Sequence, residues 1–505
     1  MTHSDHPKSP SLLRNPVSFV GIVVAAMSTA FGLPLMFLDM VSRRTHPYLA
    51  VLIYLVLPFV ATGGVGLIVF GALWERWRRR RRPELIVPPL PQIDLNQPAH
   101  QAAVVAAVTA TMVIVILLSI TGYRAYHFTE SVKFCGLVCH QVMKPEYTAY
   151  QYSPHARVAC TQCHVGPGAD WFVRSKLSGL YQVYAVTTHR YPRPIETPVK
   201  SLRPAQETCE QCHWPAKFFG AQQKTFTHYL SDEANSPWQI QMLIKVGGGN
   251  PATGGASGIH WHMNIAKTIE YVAADKQREV IPWVRVTEPG GHVRVYQSTE
   301  VPLSPAQVTA ATPRQMDCVD CHNRPSHIYT PPDRALDAAL EQGRIDSSLP
   351  YVKREAVRLL AGTYRSEAQA MAAIRTGLTR FYETTYPDMW RQRQADIQRA
   401  AEETAKVFAR TIFPEMKADW RVHPNHIGHR NTDGCFRCHD GQHASADGHV
   451  ITKDCNACHT ILAQGAPATL QGQPLREQPF QHPVDMGMDV TEQKCSLCHN
   501  GTTGL

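Results

Sequence analysis

The sequence predicts a mostly α-helical and irregular chain with N-terminal transmembrane helices, a small β element and a core formed around bound cofactors. Three observations lead to this prediction. Long apolar stretches are concentrated before residue 123. The 14 cysteines fall into seven close pairs, and each pair is followed at once by a histidine. The last 80 or so residues hold three of these pairs, and so short a segment cannot bury a conventional apolar core.

The cysteine pairs have the pattern of covalent haem attachment. In C-x-x-C-H the two thiols form thioethers with the porphyrin, and the adjacent imidazole ligates the iron. The predicted fold class is therefore a multihaem cytochrome c that carries seven haem c groups. Disulfides and zinc sites are the alternatives, but neither explains a histidine after every pair. The seven motifs are Cys135/Cys139-His140, Cys160/Cys163-His164, Cys209/Cys212-His213, Cys318/Cys321-His322, Cys435/Cys438-His439, Cys455/Cys458-His459 and Cys495/Cys498-His499.

The first motif differs from the others because three residues separate its cysteines. It begins about 13 residues after the last apolar stretch, so its haem is expected at the membrane surface. Met143 follows closely and is a possible thioether ligand to the iron. The alternative is that His140 ligates in the usual way and Met143 is ordinary packing.

Each low-spin iron needs a second axial ligand, usually histidine in electron-transfer chains. Outside the motifs and the N-terminal part, fourteen histidines remain, twice what seven irons can use. Neighbouring Pro, Gly or motif residues favour seven of them, without pairing them with particular haems: His155, His189, His260, His327, His426, His443 and His482. His292 lies in the turn of a predicted β-hairpin, Val284–Val295, and is expected at the surface.

Three apolar stretches are long enough to span a bilayer, which takes about 20 helical residues: Val17–Val41, Tyr48–Trp74 and Ala102–Gly122. The Arg-rich run after the second stretch predicts a cytoplasmic loop, and with it a cytoplasmic N-terminus. The remaining chain is then periplasmic, anchored in a bacterial inner membrane. A cleaved signal peptide for the first stretch and a nucleic-acid patch for the Arg run are the alternatives.

The formal charge of +9 is weak evidence about partners. Seven ferric haems with ionised propionates would contribute about −7, because each carries about one net negative charge. The charge therefore does not predict a nucleic-acid partner.

The segment FCGLVCHQVMKPEYTAYQYSPHARVACTQCHVGPG resembles the start of the NapC/NirT/NrfH family of membrane-anchored quinol dehydrogenases. Later segments, among them GIHWHMN and CVDCHNRPSHIY, resemble the larger seven-haem inner-membrane cytochromes of metal-reducing bacteria, the ImcH type. The resemblance implies electron transfer from menaquinol, through the quinone pool, to periplasmic cytochromes or a partner reductase. It also implies roles beside the first haem for Met143, Asp170 and Lys176, although Met143 stands one residue further from the motif histidine than is usual.

Four regions are predicted: a membrane part with three transmembrane helices (1–122), a NapC/NirT-like tetrahaem domain (123–332), a helical insert (333–422) and a C-terminal trihaem domain (423–505). The insert contains no cysteine and reads as amphipathic helices. It is interpreted as scaffold, with haem shielding or partner docking as the alternative.

A quinol dehydrogenase is the favoured function, with Asp170, Lys176 or His127 accepting the protons. A relay subunit without its own quinol site is the main alternative. A terminal reductase would need an iron with an open position, and no unusual attachment motif such as C-x-x-C-K is present.

Overall fold

The structure is a computed structural model, and it describes residues 11–41, 56–81, 94–138, 140–166, 168–199, 202–247, 258–263, 267–288, 290–471 and 474–502. The chain forms two compact units. The first comprises Met1–Thr129 and Val165–Tyr181, and the second comprises Glu130–His164 and Gln182–Leu505. The four-region division of the sequence stays a prediction.

The first unit contains the apolar helices. They are α1 (Pro16–Val41), α2 (Leu57–Arg81) and α3 (Pro98–Thr129). Two helical segments, Pro16–Phe37 and Leu57–Arg81, are long and apolar enough to cross a membrane. The third predicted span lies within the continuous helix α3. The start of the second predicted span, residues 48–55, lies outside the described residues.

Helices α1 and α2 pack closely because glycines line their contact. A Cβ atom at Gly64 would lie 2.7 Å from the backbone nitrogen of Ala25. Ser18 adds a hydrogen bond from its hydroxyl to the carbonyl oxygen of Ile68, 3.1 Å away. Small residues and interhelical hydrogen bonds of this kind stabilise helix pairs in lipid, where apolar burial offers little driving force.

The second unit contains two antiparallel sheets. One has the order β1-β2-β8 and the other β6-β3-β4-β5-β7. The predicted hairpin is confirmed as β4 paired with β5, with His292 exposed in its turn. The remaining strands were not predicted. Their bounds are β1 (Gln222–Tyr229), β2 (Pro237–Ile244), β3 (Thr268–Val272), β4 (Trp283–Thr287), β5 (Val293–Ser298), β6 (Arg314–Gln315), β7 (His443–Ser445) and β8 (His459–Gly465).

The conventional core lies in the predicted helical insert. Its amphipathic helices bury their apolar faces against one another, with Leu378, Tyr382 and Phe408 fully buried. Ser366 caps α12 by accepting a hydrogen bond from the backbone N–H of Gln369. The helices are α10 (Pro332–Glu341), α11 (Val352–Leu360), α12 (Glu367–Thr385) and α13 (Pro387–Thr411).

The remaining helices lie outside the insert and outside the apolar N-terminal part. They are α4 (His140–Gln151), α5 (Cys160–His164), α6 (Ala169–Thr187), α7 (Ala205–Cys209), α8 (Pro305–Ala310), α9 (Cys318–Cys321) and α14 (Pro467–Leu470). Helix α4 joins the insert core through Val142 and Ala149. The first haem motif is thus followed directly by a helix that packs on the scaffold.

The C-terminal segment has almost no apolar interior of its own. Between residue 423 and residue 502, the buried apolar side chains among those described are Ile461, Ala463 and Leu470. Three attachment motifs share this segment. Its order must therefore depend on something other than the burial of its own apolar side chains.

Candidate haem-binding sites

A short helical turn contains at least one cysteine of every motif. In six motifs the turn is an α-helical or 3₁₀ turn. In the first motif it is a π-helical turn, Phe134–Val138, which accommodates the extra residue between the cysteines. The other turns are α5, α7, α9 and the 3₁₀ turns Gly434–Arg437, Cys455–Ala457 and Cys495–Leu497.

Six motif histidines each face a second histidine at nearly the same distance. The ring centres of the six pairs are 5.9–6.3 Å apart. The pairs, in the order of their motifs, are His164–His327, His213–His155, His322–His260, His439–His262, His459–His429 and His499–His482.

This separation fits an iron held between two imidazoles. A metal–nitrogen bond of about 2.0 Å on each side, with about 1.1 Å from the nitrogen to the ring centre, puts the two centres roughly 6 Å apart. Imidazoles in direct stacking contact would lie closer. The residues present therefore fit six haem irons with two histidine ligands each.

Hydrogen bonds fix the orientation of many of these rings. The Nδ1 atoms of six paired histidines lie 2.7–3.2 Å from backbone carbonyl oxygens, which keeps the proton on Nδ1 and leaves Nε2 as the ligand atom. The acceptors are Pro325 for His155, Val246 for His260, Ile259 for His262, Glu146 for His327, Thr452 for His439 and Val484 for His482.

Burial also favours the neutral form that binds iron. It lowers the pKa of His164, His322 and His459, and it lowers the pKa of His262 to about 4. A neutral imidazole can ligate a metal without first releasing a proton.

The described residues offer no support for the two alternative roles of the cysteines. No disulfide joins any two of the thirteen cysteines that the structure describes. In the same part of the chain, no three His, Cys, Asp or Glu side chains converge as a metal site. Two thiols beside a pair of facing imidazoles are the donor set of a haem c.

The attachment cysteines of consecutive motifs are neighbours in space. A hydrogen bond with Cys135 lowers the pKa of Cys160 to about 7, and a hydrogen bond with Cys318 raises that of Cys209. Desolvation of the sulfur raises the pKa of four further thiols, and a cysteine of an adjacent motif raises it further in each. These pairs are Cys163 with Cys212, Cys321 with Cys435, Cys458 with Cys435 and Cys495 with Cys455.

Cys498 of the seventh motif is exposed, whereas its motif partner Cys495 is partly buried. Cys212, Cys321, Cys435 and Cys455 are exposed as well. An exposed thiol is accessible to a porphyrin vinyl group, and haem attachment at Cys498 stays a prediction.

Three of the predicted second ligands do not face a motif histidine in a described ring contact. His189 is exposed just after α6. The Nε2 atom of His426 lies 2.5 Å from a Glu279 carboxylate oxygen. Both ring nitrogens of His443 are used, Nδ1 with Asp440 at 2.9 Å and Nε2 with the Ile281 carbonyl at 2.7 Å. These contacts do not favour iron ligation.

Sequence reasoning did not select His262 and His429, which face motif histidines instead. His262 stands two residues after His260 in the same turn. His429 ends a series of three histidines at intervals of three, and its ring also stacks on Phe436 with centres 4.3 Å apart. The local sequence gives no signal that separates His429 from His426.

The first motif is described in part. Cys139 and the side chain of His140 lie outside the described residues. Met143 is half-buried on α4, one helical turn after the motif. Tyr147 packs against Gly136, where a Cβ atom would lie 2.1 Å from its ring. A glycine within the π-helical turn is therefore required by the close approach of this tyrosine.

Asp170 and Lys176 lie on α6 in the unit that contains the apolar helices. Both are exposed, and they are six residues apart, which separates them by about 120° around a helix. The Nζ atom of Lys176 lies 4.9 Å from the centre of the Phe172 ring. Phe172 in turn lies 6.3 Å from Tyr126, whose ring is 5.3 Å from His127 near the end of α3. A row of aromatic rings thus connects Lys176 with His127.

The chain is similar to known cytochromes c. Residues 97–200 match the N-terminal region of the NapC/NirT cytochrome c family. Over 492 residues the chain is 43% identical to the cytochrome c-type protein ImcH of Geobacter sulfurreducens, which covers 97% of this chain and 96% of that protein. No solved structure matches the chain. The chain therefore belongs to the NapC/NirT family of membrane-anchored, electron-transferring multihaem cytochromes c, and within it to the ImcH type.

Proposed function

We propose that the chain carries seven haem c groups, oxidises menaquinol at the membrane and delivers the electrons to a periplasmic cytochrome or reductase. The observation that supports this most strongly is the set of six facing histidine pairs. Bound haem supplies reversible one-electron chemistry at each motif. An iron with two imidazole ligands has no open position for a small substrate, so the six sites suit electron transfer better than substrate reduction.

The chain's own residues arrange the attachment points in a row. Cys135 contacts Cys160, and each later motif has a cysteine near one of the preceding motif. This arrangement supports an unbranched conducting path in the order of the sequence. It begins at the first motif, which follows α3 after a few residues of chain.

On the family resemblance we propose roles in quinol oxidation for Asp170 and Lys176 of α6 and, separately, for Met143 of α4. Quinol oxidation releases two protons, and a nearby base must accept them. His127 is a further candidate base, because the ring row from His127 to Lys176 offers flat apolar surfaces beside both polar groups. Lys176 would hold the quinol oxygens, and His127 or Asp170 would take the protons.

We further propose a bacterial inner-membrane location with the N-terminus in the cytoplasm and the haem-binding part in the periplasm. Four arginines, Arg78 to Arg81, form the last turn of α2 and support a cytoplasmic end for that helix. The attachment motifs all follow α3, and covalent haem attachment takes place on the exported side.

The test is reduction of the full-length protein in lipid nanodiscs by a menaquinol analogue, followed through haem absorbance. We expect rapid reduction of the natural protein. His127→Gln, Asp170→Asn and Lys176→Gln should each slow it, by about 100-fold for the residue that acts as the base. Lys224→Gln, at an exposed position of β1, is the control and should not change the rate.

Dithionite should reduce every variant to the same final spectrum, since the haem ligands are unchanged. A natural protein that stays oxidised with the quinol analogue would contradict the quinol dehydrogenase. If the oxidised protein were then reduced when a partner membrane protein is added, an electron-relay function would replace the quinol dehydrogenase function.

A further inference from the structure

One short turn carries two histidines that face two different motifs. The 3₁₀ turn Ile259–His262 contains His260 and His262, separated by Trp261 alone. The ring of His260 lies parallel to that of His322 in the fourth motif, with centres 6.3 Å apart. The ring of His262 lies 5.9 Å from that of His439 in the fifth motif, with the planes at 82°.

Both rings are fixed in the orientation that leaves Nε2 for a metal. The Nδ1 atom of His260 is 2.7 Å from the carbonyl oxygen of Val246, and that of His262 is 2.9 Å from the carbonyl oxygen of Ile259. Trp261 packs against the apolar cluster that includes Ile269 and Tyr271. The turn is therefore held at both histidines and at the residue between them.

The turn is also anchored to the end of β2. The backbone N–H of Ile259 donates to the carbonyl oxygen of Lys245 at 2.8 Å, and that of His260 donates to the carbonyl oxygen of Gly247 at 3.1 Å. Gly258 precedes the turn with φ of 88°, and a Cβ atom there would lie 2.5 Å from the Lys245 oxygen. This close approach, in the left-handed region, requires glycine.

The same strand end reaches the sixth motif. The backbone N–H of Lys245 donates to the carbonyl oxygen of Cys458 at 2.9 Å, and the Lys245 ammonium contacts the carbonyl oxygen of Asn456. The turn faces the fourth motif, which precedes the helical insert in sequence, and the fifth motif, which follows it, and the strand end that anchors the turn contacts the sixth motif.

We infer that His260 and His262 are the second axial ligands of two different haems, those of the fourth and fifth motifs, and that this one turn clamps the two haem-binding segments together. The inference rests on the proposed haem binding and adds the assignment of both irons to one turn. Because a single turn holds both ligands, the relative placement of these two irons is set by the backbone of residues 258–262. The alternative is that the two imidazoles only fill space between the motifs.

The test counts irons that lose their second histidine. His260→Ala and His262→Ala are made singly and together, with His292→Ala in the exposed hairpin turn as the control. All cysteines remain, so the haem content measured as the pyridine haemochrome should stay that of the natural protein. Electron paramagnetic resonance of the oxidised protein should show one new high-spin iron in each single variant, two in the double variant and none in the control.

Added imidazole should convert the new high-spin signals back to low-spin ones, which also shows that the variants are folded around their haems. Potentiometric titration should show that the two single variants alter different haems. The inference is overturned if His262→Ala leaves all irons low-spin, or if both single variants alter the same haem. If all haem signals are lost and added imidazole does not restore them, the two histidines serve packing. This result would also overturn the inference.

Gly258→Ala provides an independent variant in which both histidines are retained. We expect it to perturb the signals of the fourth and fifth haems together, because the added methyl displaces the whole turn. None of these measurements uses quinol. A protein that shows the expected ligand pattern but is not reduced by menaquinol would contradict the quinol dehydrogenase and leave the two-haem clamp intact.

Discussion

Glu146 contacts the Nδ1 atom of His327 twice, through its main-chain oxygen at 3.0 Å and through its carboxylate at 3.2 Å. Arg324 and the hydroxyl of Tyr329 hold the same carboxylate, the latter at 2.9 Å. Burial alone would raise the pKa of Glu146, but Arg324, His327 and Tyr329 together hold it below its usual value. A carboxylate is therefore kept ionised beside the imidazole that faces His164 of the second motif.

Replacing this carboxylate should raise the reduction potential of one haem. In Glu146→Gln the imidazole of His327 loses a negatively charged acceptor, becomes less basic and stabilises the ferric state less. We expect a rise on the order of tens of millivolts, since about 59 mV corresponds to a tenfold change for one electron. Spectropotentiometric titration measures this.

Glu403→Gln is the matched control, because Glu403 is also an ion-paired glutamate but lies in α13 and pairs with Arg344 and Lys406. It should leave all potentials unchanged. Equal potentials in Glu146→Gln and the natural protein would contradict a role for this carboxylate in tuning the haem.

A second prediction separates His429 from its neighbour His426. His429→Ala should give one high-spin iron, because His429 faces His459 at 6.1 Å. His426→Ala should leave every iron low-spin, because the Nε2 atom of His426 is bound to Glu279. Electron paramagnetic resonance of the oxidised proteins distinguishes the two results. A new high-spin signal in His426→Ala would reverse the assignment.

The third prediction concerns acid stability. Burial is the main cause that lowers the pKa of His423 to about 4, and the positive charge of Arg324 is the second cause. In the unfolded chain the pKa of a histidine is about 6.5. At pH values between these two pKa values, the unfolded chain binds a proton at His423 that the folded chain does not bind. The free energy of unfolding therefore falls as the pH decreases from about 6.5 to about 4. His423→Gln should reduce the loss of Tm between pH 7 and pH 5.

The exposed His449 supplies the control for that measurement, as His449→Gln should keep the natural pH dependence. The explanation fails if His423→Gln and the natural protein lose the same amount of Tm over this range.

The fourth prediction tests the helical insert as scaffold. Phe408 is fully buried among the helices, and Phe408→Ala should cost about 3–5 kcal/mol of unfolding free energy. The haem content per folded molecule should not change, because no attachment motif lies in this segment. Arg399→Ala, at an exposed position of α13, should stay within about 0.5 kcal/mol. Denaturant unfolding and the pyridine haemochrome measure the two quantities.

Local patterns predicted the parts of the structure that depend on neighbouring residues. The apolar periodicity of the insert predicted its helices, and the Pro-Gly-Gly turn predicted the pairing of β4 with β5. The cysteine spacing located every attachment turn that the structure describes. In each case the chemistry lies within a few residues of chain.

Contacts between segments that are far apart in sequence could not be predicted from local patterns. The β1-β2-β8 sheet joins strands on either side of the insert, and β8 begins at a motif histidine, which reads as part of the motif and not as a strand. His262 and His429 face motif histidines, whereas the ring nitrogens of His426 and His443 have other partners. Two of those partners, Glu279 and Ile281, lie far away in sequence.

The histidine pairs also set an order of assembly. A growing chain presents His164 long before His327 is made, and His262 long before His439. The second site can therefore close only after His327 has been made, and the fifth only when its own motif is made, after the scaffold helices. Until His327 is made, the porphyrin of the second motif would have one axial position unfilled, so a maturation factor that protects such a porphyrin would act mainly on the second motif.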